Sequence, residues 1–170
     1  SGWQQTSPGR GGRDLERVTV DPNDQEVAQG GSTPSLSGDG RLVAFVSNSP
    51  DLVAGAGSFQ NVFVRDRQTG ITRLISAGVG GAAADGNSYY PVLSDNGQFV
   101  VFMSAASNLV PGDTNNKQDI FLHDLGAGTT ERVSVALDGT EANEHSNFRP
   151  DISADGRFIV FGSGASNLVA

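Results

Sequence analysis

The loop at 111–119 holds the residues whose types and spacing best suit site chemistry. It reads P-G-D-T-N-N-K-Q-D, with side-chain oxygens at Asp113, Asn115 and Asp119. Carboxylate and amide oxygens, with backbone carbonyls between them, are the ligands that Ca²⁺ prefers. These three residues are therefore candidate calcium ligands. The alternative is that Asp113 and Asn115 cap a turn through hydrogen bonds to the backbone, while Asp119 begins a strand.

Three aromatic residues form a second candidate surface. Tyr89, Tyr90 and Phe148 each stand one or two residues before a proline. Exposed aromatic rings present an apolar face with a polar rim, so we expect these three to contact a carbohydrate or a peptide. Their recurrence at equivalent places also fits packing at the edge of a structural unit, and both interpretations stay open.

No set of residues is organised for catalysis. His123 and His145 are 22 residues apart and fall in different types of element, so their spacing does not suit a zinc pair. No Gly-x-Ser-x-Gly motif presents a serine nucleophile, and the sequence contains no cysteine. We therefore expect that the chain is not itself an enzyme.

Composition excludes several classes of partner. Nineteen acidic and 11 basic residues give a net charge of −8, the wrong sign for attraction to phosphate backbones or anionic lipid. No apolar run approaches the roughly 20 residues that span a bilayer. We expect no binding to nucleic acid and no membrane insertion. The 23 glycines and seven prolines disfavour long helices and favour short strands joined by tight turns.

The elements that position these residues follow from an internal repeat. Segments beginning at Pro34, Pro91 and Pro150 read P-S-L-S-G-D-G-R-L-V-A-F-V-S, P-V-L-S-D-N-G-Q-F-V-V-F-M-S and P-D-I-S-A-D-G-R-F-I-V-F-G-S, at spacings of 57 and 59 residues. A fixed period of this length is typical of stacked structural units. The Asp-Gly or Asn-Gly pair inside each segment predicts a tight hairpin.

Each full repeat predicts four antiparallel strands. The second strand is an apolar run with no polar alternation, so it is covered on both faces. Four-stranded units whose inner strands are covered on both faces form the blades of a β-propeller. The predicted strands lie at 35–37, 42–47, 61–65 and 72–76 in one repeat, and at 92–94, 99–104, 119–123 and 130–135 in the next.

The predicted fold is therefore an all-β, partial β-propeller of about three blades. Phe45, Phe102 and Phe161 recur in the same strand and are expected at equivalent positions between blades. The predicted organisation is an N-terminal extension at 1–12 followed by propeller repeats at 13–170, which comprise a blade-closing strand at 13–20, blades at 34–76 and 91–136, and a partial blade at 150–170.

The repeat also supplies a comparison for the candidate calcium loop. The equivalent stretch of the preceding blade, at 54–61, reads A-G-A-G-S-F-Q-N and lacks the acidic residues. A blade of this type therefore does not require a metal in order to form.

Several segments resemble the repeats of TolB-type β-propellers. They are S-A-D-G-R-F-I-V-F, A-S-N-L-V-P-G-D-T-N, Q-D-I-F-L-H-D and E-R-V-S-V, and the likeness extends over about 13–170. The resemblance implies a bacterial, exported protein, located in the periplasm or outside the cell. It does not imply an activity, because one fold carries many functions.

These observations predict a non-catalytic binding or scaffold module for a protein or glycan partner. The alternative is an accessory propeller portion of a hydrolase or peptidase whose catalytic residues lie outside this chain. A propeller closes with roughly four to eight blades, so we expect either that the chain is a fragment of a longer one or that further copies of it act as partners that complete the ring. Calcium is the only cofactor that the sequence suggests.

Overall fold

The computed structural model describes residues 16–169. The extension predicted at 1–12, the first part of the strand predicted at 13–20 and Ala170 lie outside the described residues.

The described residues form two four-stranded antiparallel sheets and one two-stranded sheet. The first sheet, blade 1, contains β1 (Ser32–Leu36), β2 (Leu42–Ser47), β3 (Asn61–Asp66) and β4 (Ile71–Leu74). Blade 2 contains β5 (Ser88–Leu93), β6 (Phe99–Ser104), β7 (Asp119–Asp124) and β8 (Thr129–Arg132). The partial blade contains β9 (Asp151–Ile152) and β10 (Ile159–Val160). Neighbouring strands follow chain order in each sheet, which confirms the predicted all-β plan of partial propeller blades.

The repeated hairpin turns depend on a glycine in the left-handed region. Gly40, Gly97 and Gly156 have φ values of 70°, 68° and 78°, a conformation that is costly for residues with a Cβ atom. A serine two residues before the Asp or Asn completes each turn. In blade 2, Ser94 Oγ donates a hydrogen bond to Asn96 Oδ1 at 2.7 Å and accepts one from the backbone N–H of Phe99 at 3.0 Å.

The first strand of each full blade begins earlier than predicted. β1 and β5 start at Ser32 and Ser88, so that Pro34 and Pro91 lie inside the strands instead of before them. Each strand shifts register around its proline, between Ser32 and Ser35 and between Tyr89 and Val92. Proline has no N–H for the ladder, and a bulge in an edge strand accommodates it.

The fourth strands end earlier than the predicted 76 and 135. In blade 2, the hydroxyl of Ser134 accepts the N–H of Ile120 at 3.0 Å, and Ser76 accepts the N–H of Val62 at 2.9 Å in blade 1. A side-chain hydroxyl thus replaces the ladder hydrogen bond that would have continued the strand.

The hydrophobic core lies between the blades. Ala44 and Val46 on one face of β2 pack in the same buried cluster as Val100 and Phe102 of β6. Phe45 on the opposite face of β2 packs with Phe63 and with Val27 from the segment before blade 1. The double burial predicted for the second strands is therefore present in both full blades.

Phe45 and Phe102 occupy equivalent positions in β2 and β6, whereas Phe161 lies one residue beyond the end of β10. Phe45 and Phe102 are fully buried and each stacks on a ring of the next strand, with centroids 5.8 Å apart. Phe161 is half-buried and packs against the cluster on the far face of blade 2. Beyond it, the outer face of the partial blade leaves Phe158 and Val160 64% and 65% exposed.

Candidate binding pocket

A polar pocket of about 550 Å³ opens beside blade 2. One wall is the long loop between β6 and β7, and the others come from the segments that precede β5 and β9. The lining residues are Asp85, Ala105, Ser107, Asp113, Asn116, Lys117, Gln118, His145 and Asn147.

Behind the pocket, one arginine lies among three carboxylates. Arg132 is the last residue of β8, and its side chain is only 8% exposed. Its Nη1 atom is 2.9 Å from Asp113 Oδ1, 2.8 Å from Glu141 Oε1 and 3.6 Å from Asp119 Oδ2. We call Asp113, Asp119, Arg132 and Glu141 the charge cluster. One guanidinium therefore faces three acidic side chains, so the cluster carries more negative than positive charge when all are ionised.

The charge cluster is built into the surrounding loops by hydrogen bonds. Glu141 accepts the backbone N–H of Thr114 at 2.8 Å, which ties the β6–β7 loop to the segment before β9. Asp119 is fully buried, and its Oδ1 atom accepts the hydroxyl of Ser134 at 2.6 Å. These two hydrogen bonds fix the positions of Glu141 and Asp119 in the cluster.

Burial and charge shift the pKa values of two of the carboxylates in opposite directions. Burial raises the pKa of Asp113 to about 6, because Arg132 compensates only in part and Asp119, Glu141 and Asp85 add repulsion. For Glu141, the hydrogen bonds from Thr114 dominate and lower the pKa to about 2, with further help from Arg132. Asp113 is therefore the carboxyl of the pocket that titrates near neutral pH.

Blade 1 has neutral residues at all four places of the charge cluster. The strand register aligns Arg132, opposite Phe121, with Leu74, opposite Phe63. Asp119 and Asn61 each accept a hydrogen bond from the equivalent serine. The repeat alignment pairs Asp113 with Ala56. Glu141 pairs with Ala83, because the backbone carbonyl of each accepts a hydrogen bond from the equivalent asparagine, Asn167 or Asn108. The blade fold therefore forms without any of these four charges.

The three residues of the predicted calcium site have different partners in the structure. Asp113 contacts the Arg132 guanidinium, and Asn115 Oδ1 accepts the backbone N–H of Lys117 at 2.8 Å. Asn115 Nδ2 donates to Asp119 Oδ2 at 2.9 Å. Because Asn115 Oδ1 accepts a backbone N–H, its side chain caps the turn as in the alternative interpretation. Within residues 16–169, no three His, Asp or Glu side chains are arranged as a metal site. Calcium binding here stays a prediction.

The three predicted aromatic contacts do not line the pocket. Tyr89 packs against the buried cluster between blade 2 and the partial blade. Tyr90 is 38% exposed, with its ring centroid 6.2 Å from that of Tyr89. Phe148 is 65% exposed and lies beside Gly162, where a Cβ atom would be 2.7 Å from its ring. Their role in ligand contact stays a prediction.

The two histidines occupy different environments. His123, in β7, contacts the Thr130 hydroxyl at 2.9 Å, and burial together with the charge of Arg73 lowers its pKa. His145 lines the pocket, and its Nδ1 atom accepts the backbone N–H of Gln118 at 2.9 Å, which leaves Nε2 as the ring donor when the imidazole is neutral.

Sequence reasoning did not single out Arg132, Glu141, Asp85 or His145 as parts of one site. The usable signal was the repeat itself, since an arginine at 132 stands where the preceding blade has Leu74. A charged residue at the position of a partly buried leucine in a repeated strand indicates that this position makes different contacts in blade 2.

Comparisons with known proteins support the fold and no more. No family model matches the chain, and no curated protein matches it. TolB from Acinetobacter baumannii is similar at 18% identity and a TM-score of 0.46, over 84% of this chain and 28% of that one. The tricorn protease is similar at 18% identity and a TM-score of 0.50, over 79% of this chain and 11% of that one. An acylaminoacyl peptidase is similar at 18% identity and a TM-score of 0.48, over 78% and 17% of the two chains.

These three solved structures are β-propeller proteins, and the likeness to the tricorn protease supports the propeller fold indicated by the repeats. This chain spans about a tenth to just over a quarter of their lengths. A search of the described residues for a helix long and apolar enough to cross a bilayer finds none.

Proposed function

We propose that the chain is a non-catalytic β-propeller module that binds a protein or glycan partner through the pocket of blade 2. The observation that carries this proposal is the charge cluster beside the pocket. Buried ion pairs contribute little net stability, because desolvation of the charges opposes their attraction. Blade 1 folds with Ala56, Asn61, Leu74 and Ala83 at the same places. Because folding does not account for the charges, they support a binding role.

The polar groups of the pocket support a binding role over catalysis. The hydroxyl of Ser107 donates to Asp85 Oδ2 at 2.7 Å, so it is not paired with a histidine base. His145 directs Nδ1 at a backbone N–H and not at a serine. A nucleophile and its general base normally lie within hydrogen-bond reach of each other, and these residues lack that arrangement.

A second candidate is an accessory propeller portion of a hydrolase or peptidase. The likeness to the tricorn protease, of which this chain covers 11%, favours it. In that case the catalytic residues belong to other parts of the protein, and the pocket of blade 2 guides the substrate.

Two further features belong to the proposal. The TolB-type repeats support an exported bacterial setting. The exposed Phe158 and Val160 on the partial blade fit a neighbour that continues the propeller, which a further copy of the chain can supply.

The test uses the side chains of Gln118 and Asn147. Both line the pocket, and neither side chain makes a hydrogen bond within residues 16–169. The purified chain is applied to a glycan array and to a random peptide library. The affinity of each hit is then measured by calorimetry for the parent chain and for the double variant Gln118→Ala/Asn147→Ala. Gln68→Ala, on the exposed turn of blade 1, is the matched control.

The proposal expects at least about a tenfold loss of affinity in the double variant and none in the control. Unchanged affinity in the double variant would place the binding surface elsewhere. Absence of any glycan or peptide hit would overturn the binding role of the pocket.

A further inference from the structure

The carboxylate of Asp113 has a shortage of positive partners. Its side chain is 3% exposed, yet it lines the pocket. Its one cationic contact within residues 16–169 is the Nη1 atom of Arg132 at 2.9 Å, and Glu141 shares that same atom at 2.8 Å. A buried carboxylate that shares its only cation with a second carboxylate attracts a further cation from the pocket side.

The other charges around the pocket do not supply that cation. Asp85 adds a second carboxylate to the lining, held by the N–H and hydroxyl of Ser107, each at 2.7 Å. The ammonium of Lys117 is 3.2 Å from Glu144, so its charge is matched outside the cluster. The pocket as a whole therefore favours a positively charged ligand.

The uncharged lining groups suit hydroxyls. The side-chain amides of Gln118 and Asn147, unbonded within the described residues, offer both donors and acceptors, and Asn116 and Ser107 lie on the same lining. The only apolar lining side chain is the methyl group of Ala105. The volume of about 550 Å³ is within the roughly 300–1,000 Å³ of small-molecule sites.

We propose that the pocket of blade 2 binds an amino sugar, a hydroxyl-rich ligand with a protonated amino group, and that Asp113 is the counter-ion of that group. The proposal rests on the proposed function and deepens it, because it names the ligand class of the same pocket. A lysine side chain has the charge but carries no hydroxyls to pair with the side-chain amides of Gln118 and Asn147. A neutral sugar would add no second cation beside Asp113, which shares the Arg132 guanidinium with Glu141.

The test compares three ligands that differ at one position. Glucosamine carries the charge, N-acetylglucosamine has the same ring without it, and glucose has a hydroxyl in its place. Binding is followed by calorimetry and by NMR shifts at about pH 6.5, where Asp113, with its pKa of about 6, is mostly ionised. The expected order is glucosamine at least about tenfold tighter than the other two.

Two variants connect the charge preference to Asp113. Asp113→Asn is expected to bring glucosamine to the affinity of N-acetylglucosamine, while Asp95→Asn on an exposed turn leaves it unchanged. Should Asp113→Asn fail to fold, the double variant Asp113→Ala/Arg132→Leu serves instead. It removes the carboxylate together with its cationic partner and recreates the Ala56 and Leu74 pair of blade 1.

The contrary outcomes separate this inference from the proposed function. Equal affinity for all three sugars would overturn the role of Asp113 and leave glycan binding in place. Binding of lysine methylamide without glucosamine would overturn the ligand class and leave a peptide-binding pocket. If none of these ligands binds while the array hits still depend on Gln118 and Asn147, the amino-sugar inference is overturned and the proposed function stands.

Discussion

Arg132 contacts Asp113 and Asp119, the two acidic residues of the predicted calcium site. Sequence analysis identified Asp113 and Asp119 as candidate ligands from their types and spacing, and both lie in the site. It did not identify Arg132, because E-R-V-S-V looks like an ordinary strand. Only the pairing of β8 with β7 brings the guanidinium back to a loop about 13–19 residues earlier in the chain. Contacts between residues in different strands depend on register, which a local pattern does not specify.

We predict that Asp113 makes stability fall as pH rises. Its pKa of about 6 in the folded state is above its ordinary value of 3.8, so the folded state retains a proton that the unfolded state releases. The free energy of unfolding should therefore decrease between about pH 4 and about pH 6 by on the order of 1 kcal/mol from this group, after screening by the open pocket. Denaturant unfolding of the parent and Asp113→Asn at several pH values measures it.

Parallel stability curves for the two proteins would contradict this prediction. Glu141 does not confuse the comparison, because its pKa is lowered to about 2. Its contribution is present above its ordinary pKa of 4.5 and is lost as pH falls toward 2, which is a lower window.

Calcium at Asp113, Asn115 and Asp119 remains open to a direct test. An ion bound there would have to compete with Arg132 for Asp113 and with the backbone N–H of Lys117 for Asn115. If the prediction holds, calorimetry shows one Ca²⁺ site that Asp113→Ala removes. No heat and no change in melting temperature at millimolar Ca²⁺ would leave only the turn-capping role.

At the scale of elements, the hairpins and the doubly buried strands were predictable because their signals are local. An Asp-Gly or Asn-Gly pair and an uninterrupted apolar run are both read within about ten residues. The bulges at Pro34 and Pro91 and the early ends of β4 and β8 were not predictable. They depend on which backbone groups find partners across the sheet, as when Ser134 replaces the ladder.

We predict that Phe102→Ala destabilises the chain by about 3–5 kcal/mol, since the ring is fully buried between the blades and stacks on Phe121. Leu137→Ala, at a fully exposed side chain, is the matched control and should change stability by less than about 0.5 kcal/mol. Denaturant unfolding followed by circular dichroism gives both values. Similar losses in the two variants would mean that the inter-blade cluster is not the core.

At the scale of the whole molecule, the repeats specify the architecture but not its closure. Spacings of 57 and 59 residues give two full blades and a partial one in this chain. The segment before blade 1 covers one end, with Val18 and Val27 packed on its core. The other end leaves Phe158 and Val160 exposed, so the two ends of the arc are not equivalent.

We predict that the chain associates through this exposed end. Light scattering on the full 170-residue chain should give a mass above 17.6 kDa, and Phe158→Ser/Val160→Ser should lower it toward that of one chain. A folded single chain that binds no dye for apolar surface would contradict this prediction.

We propose that the charge cluster serves binding and not folding. This proposal is tested most directly by the thermal unfolding of one variant that carries the blade 1 residues in blade 2, namely Asp113→Ala, Asp119→Asn, Arg132→Leu and Glu141→Ala. We expect a cooperative transition at a melting temperature equal to or above that of the parent, because the desolvation cost of the buried charges is removed. A melting temperature well below that of the parent, or loss of the transition, would contradict the claim by showing that blade 2 needs its charges to fold.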